Sequence, residues 1–84
     1  MNNLNLCKVC GADFSPFFPW GEDGLSPSYD ICSCCGTEFG YEDVSSTGIL
    51  KARQTWIDLG MPWKDVRTRP KNWDSLAQLK KVVT

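Results

Sequence analysis

Two stretches of this sequence carry the residue types and spacing of metal chemistry: Cys7-Lys8-Val9-Cys10-Gly11 and Cys32-Ser33-Cys34-Cys35-Gly36. Both read C-x-x-C-G, and 21 residues lie between Cys10 and Cys32, a separation close to that of zinc ribbons. In such a turn the first sulfur accepts backbone N–H bonds. The residue after the second cysteine commonly needs positive φ, which glycine adopts without steric penalty, and Gly11 and Gly36 are placed for it. Two facing turns supply four thiolates in a tetrahedron, which satisfies zinc and leaves no open position for a substrate. The expectation is a closed, structural Zn2+ centre on Cys7, Cys10, Cys32 and Cys35. Iron suits the same donors, and rubredoxins also pair C-x-x-C-G turns. A thioredoxin-like redox pair belongs before a helix in a βαβ setting, which this sequence lacks. Cys34 can replace Cys35 only by shortening the second turn to C-x-C, so it reads as a spare thiol.

The elements that must hold these turns are few. At 84 residues and 9.4 kDa the chain is expected to form one domain, 1–84, too small to rely on apolar burial alone. Five cysteines are an odd number, which disfavours a closed set of disulfides. The start, Met1-Asn2-Asn3-Leu4-Asn5-Leu6-Cys7, has no basic and apolar leader, which predicts a cytoplasmic, reducing setting where paired cysteines bind metal. No apolar run has membrane-spanning length. The sequence contains no histidine, which removes the commonest general base and every His-containing zinc site, so no enzymatic activity is expected.

Residues 6–44 are rich in Gly, Pro, Cys and aromatics without sustained helical period. The fold class predicted is a small α+β metal-stabilised domain. A zinc-ribbon-like β-hairpin half, about residues 1–44, should be followed by two C-terminal helices. Residues 28–32 and 37–41 hold β-favouring side chains on either side of a cysteine turn and read as the hairpin arms. Further on, Ile49, Ala52, Trp56 and Leu59 recur at helical steps. With Ser46 or Thr47 as cap and Gly60-Met61-Pro62 as stop, they predict a helix over 47–59. Residues 60–71 should cross irregularly, anchored by Trp63. A second helix should begin near Trp73, capped by Asn72 or Asp74, with Leu76, Leu79 and Val83 inward and Lys80 and Lys81 in its last turn.

Charge is divided along the chain. Residues 1–50 set Lys8 against seven carboxylates, a net −6, whereas residues 51–84 set eight cations against three carboxylates, a net +5. Four thiolates around a divalent ion add −2 to the first half. That half should therefore attract a basic protein partner, with Glu22, Asp23, Glu42 and Asp43 as candidate contacts and Trp20 as an anchor. The rings of Phe14, Phe17, Phe18, Trp20, Tyr29, Phe39 and Tyr41 sit among these acids. They read chiefly as packing around the hairpin and not as a base-stacking surface. A nucleic-acid-binding ribbon along Lys64, Arg67, Arg69 and Lys71 is the alternative, though no glycine-rich phosphate cradle accompanies it.

Ser28-Tyr29-Asp30-Ile31-Cys32, leading to Cys35-Gly36 and Phe39-Gly40-Tyr41-Glu42-Asp43, resembles the bacterial cysteine-rich proteins called the CPCC family. The likeness runs through Pro19-Trp20-Gly21-Glu22-Asp23-Gly24 to Arg53-Gln54-Thr55-Trp56-Ile57 and Gly60-Met61-Pro62-Trp63, nearly the whole chain. Many relatives carry proline after the first cysteine of each turn, where this chain has Lys8 and Ser33. Proline stiffens a turn but ligates nothing. The resemblance implies a metal-stabilised fold and, as for some relatives, service as an immunity protein beside a bacterial toxin.

Overall fold

The computed structural model describes residues 4–83. The two C-x-x-C-G segments fold alike. In the first, the Cys7 N–H donates to the Ala12 carbonyl and the Gly11 N–H to the Cys7 carbonyl, each at 2.9 Å. In the second, the Cys32 N–H donates to Thr37 at 2.8 Å and the Gly36 N–H to Cys32 at 2.9 Å. One antiparallel bridge closes each turn, Leu6 with Asp13 and Ile31 with Glu38. Gly11 and Gly36 stand at φ +84° and +82°, where a Cβ would crowd its own backbone.

The expected β-hairpin is not formed. Residues 28–32 and 37–41 meet through the Ile31–Glu38 bridge and two bonds beyond it, Phe39 N–H to Asp30 at 2.9 Å and Tyr29 N–H to Phe39 at 3.1 Å. Among the described residues there is no sheet. The reason is local: Tyr29 at φ +60° and Gly40 at φ +96° turn both arms out of the extended region, so the ladder stops.

Helix α1 spans Ser46–Asp58. Its cap is Ser45, not Ser46 or Thr47, because Ser45 holds the extended backbone from which its hydroxyl accepts the Gly48 N–H at 3.0 Å. The helix ends as expected at Gly60. The Gly60 N–H donates to Ile57 and the Met61 N–H to Trp56, both at 2.9 Å, satisfying two terminal carbonyls. Ile49, Ala52 and Trp56 face the core, but Leu59 lies beyond the last full turn and is exposed.

Residues 60–74 cross to the second cysteine turn, where Lys64 N–H donates to Cys34 and Asp65 N–H to Ser33, both at 2.9 Å. Trp63 is buried here and meets Trp73 edge to face, centroids 5.4 Å apart. A 3₁₀ turn, Val66–Thr68, follows. Helix α2, Ser75–Leu79, is shorter than the sequence suggests and is capped by Asp74, whose carboxylate accepts from Leu76 and Ala77 N–H at 3.0 and 3.1 Å. Five residues make little more than one turn and cannot carry an apolar stripe. Leu76 and Val83 are exposed, Lys80 and Lys81 lie past the helix end, and the buried position is Gln78.

The core comprises Cys7, Val9, Cys10, Ala12, Cys32, Cys34, Phe39, Trp56 and Trp63. Four of these nine are cysteines, so the interior depends on the state of its sulfurs as much as on hydrocarbon packing. Phe14 packs edge-on against Phe39, centroids 5.9 Å apart. Trp20 also packs against the core, but Phe17, Tyr29 and Tyr41 depart from the packing expectation, being exposed. Among the described residues no helix is long and apolar enough to cross a membrane.

The two turn glycines should differ in tolerance. At Gly36 a Cβ would meet the flexible Lys64 side chain, whereas at Gly11 it would collide with the backbone carbonyl of Gln78. Gly36→Ala should lose about 1–2 kcal/mol, the left-handed backbone strain alone. Gly11→Ala should lose more, because α2 must move away. Denaturation midpoints of the two metal-loaded variants check this ordering.

Candidate metal centre

The two cysteine turns face one another and interleave their sulfurs. Cys7 Sγ lies 3.7 Å from Cys35 Sγ and Cys10 Sγ lies 3.7 Å from Cys32 Sγ, one sulfur from each turn in both pairs. All four sulfurs lie within 4.8 Å of one another. A tetrahedral ion with sulfur at about 2.3 Å has sulfur–sulfur edges of about 3.8 Å. The arrangement fits such an ion, and these four cysteines can hold a metal.

Cys34 is not part of the cluster. Its Sγ donates to the Pro62 carbonyl at 3.7 Å and accepts from Gln78 Nε2 at 3.4 Å. Cys35, the cysteine that precedes the turn glycine Gly36, is the one that joins Cys7, Cys10 and Cys32. All five cysteines are free thiols.

The thiols do not share protons equally. Cys35 is held far below the usual thiol range because Cys10, Cys32 and Cys7 bond to its sulfur, outweighing burial, with Thr37 adding a contact at 3.1 Å. Cys10 is pushed far up by bonding with Cys32, Cys34 and Cys35. Bonding to Cys10 draws Cys7 down, yet Cys32, Cys35 and burial together raise it. Like charges this close cannot all form in a low dielectric, so ionising all four requires a cation at their centre.

Three tethers fix the turns. Arg53, projecting from α1, donates through Nε to the Val9 carbonyl and through Nη2 to the Lys8 carbonyl, both at 2.8 Å. Gln78, from α2, donates through Nε2 to the Cys10 carbonyl at 3.1 Å and accepts the Trp73 indole N–H at 2.7 Å. Residues 64 and 65 pair with the second turn as described. The Lys64 side chain also lies against Gly36 of the second turn.

Sequence reasoning missed Arg53 and Gln78. A guanidinium among Ile49, Ala52 and Trp56 on the buried side of α1 was a signal for the first. Nothing marked the second, since the partners its amide donates to, Cys34 and Cys10, lie 44 and 68 residues away.

The residues expected to form an acidic contact surface are not all on the surface. Asp43 is 0% exposed; its Oδ1 accepts the Gly40 N–H at 2.7 Å and its Oδ2 the Trp20 indole N–H at 2.8 Å. It therefore pins the Trp20 loop to the Gly40 turn and cannot touch a partner. Trp20 is half-buried, with Lys8 Nζ 3.7 Å from its ring centroid. Glu22, Asp23 and Glu42 are exposed. Asp23 is occupied locally, accepting from Leu25 N–H at 2.8 Å and Ser26 Oγ at 3.1 Å, and Glu42 accepts the Glu38 N–H at 3.1 Å.

Compared with known proteins, the chain matches no family model, no curated protein and no solved structure.

The geometry separates a cluster cysteine, Cys10, from Cys34, which lies outside the cluster. Cys10→Ser should abolish stoichiometric metal binding and unfold much of residues 4–44, since removing one of four soft donors removes the closed site. Cys34→Ser should keep full metal content and lose at most about 1–2 kcal/mol, because a hydroxyl can still bond Pro62 and Gln78. Metal analysis and thermal melts of both variants decide; equal behaviour would assign Cys34 to the cluster.

Proposed function

We propose that this chain is a non-enzymatic zinc-binding domain that acts by docking another protein, the metal serving to hold the fold. The observation that carries the reading is the closed set of four interleaved sulfurs at tetrahedral spacing. Four protein donors leave a tetrahedral ion no position for water or substrate, the arrangement of a structural and not a catalytic site. Zinc suits it best because the ion asks only for tetrahedral soft donors and brings no redox chemistry. A rubredoxin-like iron site would use the same donors and is distinguished by colour.

Docking rests on charge. Residues 1–50 carry −6 from their side chains, and four thiolates around a divalent ion bring this to −8. Glu22, Asp23 and Glu42 present part of it at the surface, which favours fast, salt-sensitive encounter with a basic protein. Through the CPCC resemblance, neutralising a toxin is its most concrete form. A nucleic-acid ribbon is the weaker alternative: Arg67 is already paired with Asp65 at 3.1 Å, and Lys64 lies against Gly36.

Protein purified under reducing conditions should contain one equivalent of zinc and show no visible absorption. Chelation should unfold it, since structural zinc contributes on the order of 10 kcal/mol while domains this small have little stability in reserve. Less than about half an equivalent of any transition metal in such a preparation would overturn the metal reading. The docking reading expects a basic protein retained at low salt, released at high salt, and no longer retained once Glu22, Asp23 and Glu42 are all changed to Lys. Retention that survives this triple reversal would overturn it.

A further inference from the structure

The division of charge along the sequence breaks down at one place on the surface. Lys8 is the only cation in residues 1–50, and the fold sets it beside Arg53 from α1 and Lys81 from the chain's end, around a groove of about 630 Å³. The groove has an apolar lining that includes Leu4, Leu6 and Ile49. Its volume lies within the range of ligand-binding clefts.

The cations are held by different means. Lys8 Nζ rests over the Trp20 ring at 3.7 Å from its centroid, which orients an ammonium without neutralising it. Arg53 is fixed by its two bonds to the Lys8 and Val9 carbonyls, both neutral acceptors. Lys81 follows α2, with Asp13 near enough to feel its field. Among the described residues none of the three forms an ion pair with a carboxylate; the pairing found is Arg67 with Asp65. One acid, Asp23, shares the lining, and its carboxylate accepts from Leu25 and Ser26.

Three cations from separate parts of the chain, bordering an apolar floor, complement a ligand with more than one carboxylate and an apolar side chain between them. That is the chemistry of an acidic, leucine- or phenylalanine-bearing peptide. We infer that this groove docks such a segment of a partner protein, its apolar side chain seated among Leu4, Leu6 and Ile49 and its carboxylates facing Lys8, Arg53 and Lys81. The site adjoins the acidic surface, with Asp23 at their border, and takes a ligand of opposite sign.

The test is a titration of the zinc-loaded chain, residues 1–84, followed by ¹⁵N–¹H NMR, with zinc content measured on the same sample so that loss of metal and loss of docking are told apart. The probe is a capped pentapeptide of alternating aspartate and leucine. Saturable shifts should cluster on Lys8, the Trp20 indole, the Arg53 Nε–H and Lys81. Lys81→Glu, at an exposed position past α2, should weaken binding by about tenfold or more, and Lys8→Gln should weaken it as well. Asp30→Asn, at an exposed position outside the groove, should leave it unchanged. The inference is overturned by the absence of shifts at millimolar peptide in zinc-replete protein, or by equal binding of a lysine–leucine peptide. It is equally overturned by decanoate binding more tightly than the peptide, which would mark a small-amphiphile site, or by an unaltered affinity of Lys81→Glu.

Discussion

Bringing four thiol sulfurs within 4.8 Å of one another inside an 84-residue chain works only when their charge is balanced, because adjacent thiolates repel strongly where water is excluded. The rest of the molecule is arranged around that constraint. The turns present their sulfurs inward and their carbonyls outward. Those carbonyls are then taken up by Arg53, Gln78 and the backbone of residues 64 and 65. The helices therefore act as braces on the cysteine turns.

This dependence explains why so little regular secondary structure suffices. Each turn closes on one antiparallel bridge, and strands would add bonds but not bring the sulfurs closer. The backbone satisfies its polar groups through turns and caps, and among the described residues every buried side-chain nitrogen or oxygen has a hydrogen-bond partner. Asp43 shows the same economy: one buried carboxylate joins the Trp20 loop to the Gly40 turn, where the sequence alone suggested a surface charge.

Charge follows a different logic in space than along the chain. The polarity between halves is a fact of the sequence, but the fold dilutes it where Lys8, Arg53 and Lys81 converge and where Lys64 lies beside the second turn. An acidic surface and a cationic apolar groove therefore coexist on one small domain, each suited to a partner of different sign.

What the sequence by itself determined is what depends on neighbours in the chain: the two C-x-x-C-G turns with their positive-φ glycines, the preference for Cys35 over Cys34 in the cluster, α1 with its glycine stop, and the anchoring Trp63. Each rests on spacing, capping or backbone strain over a few residues. The hairpin, the length of α2 and the burial of Asp43 and Gln78 were decided only in three dimensions. Tyr29 leaves the extended region although its side chain favours strands. Leu76 faces solvent, and the buried position of α2 is the polar Gln78. Gln78 is buried because a carbonyl 68 residues away in sequence needs a donor. These outcomes arise from satisfying buried polar groups across long sequence separations, a demand that no local pattern of apolar residues records.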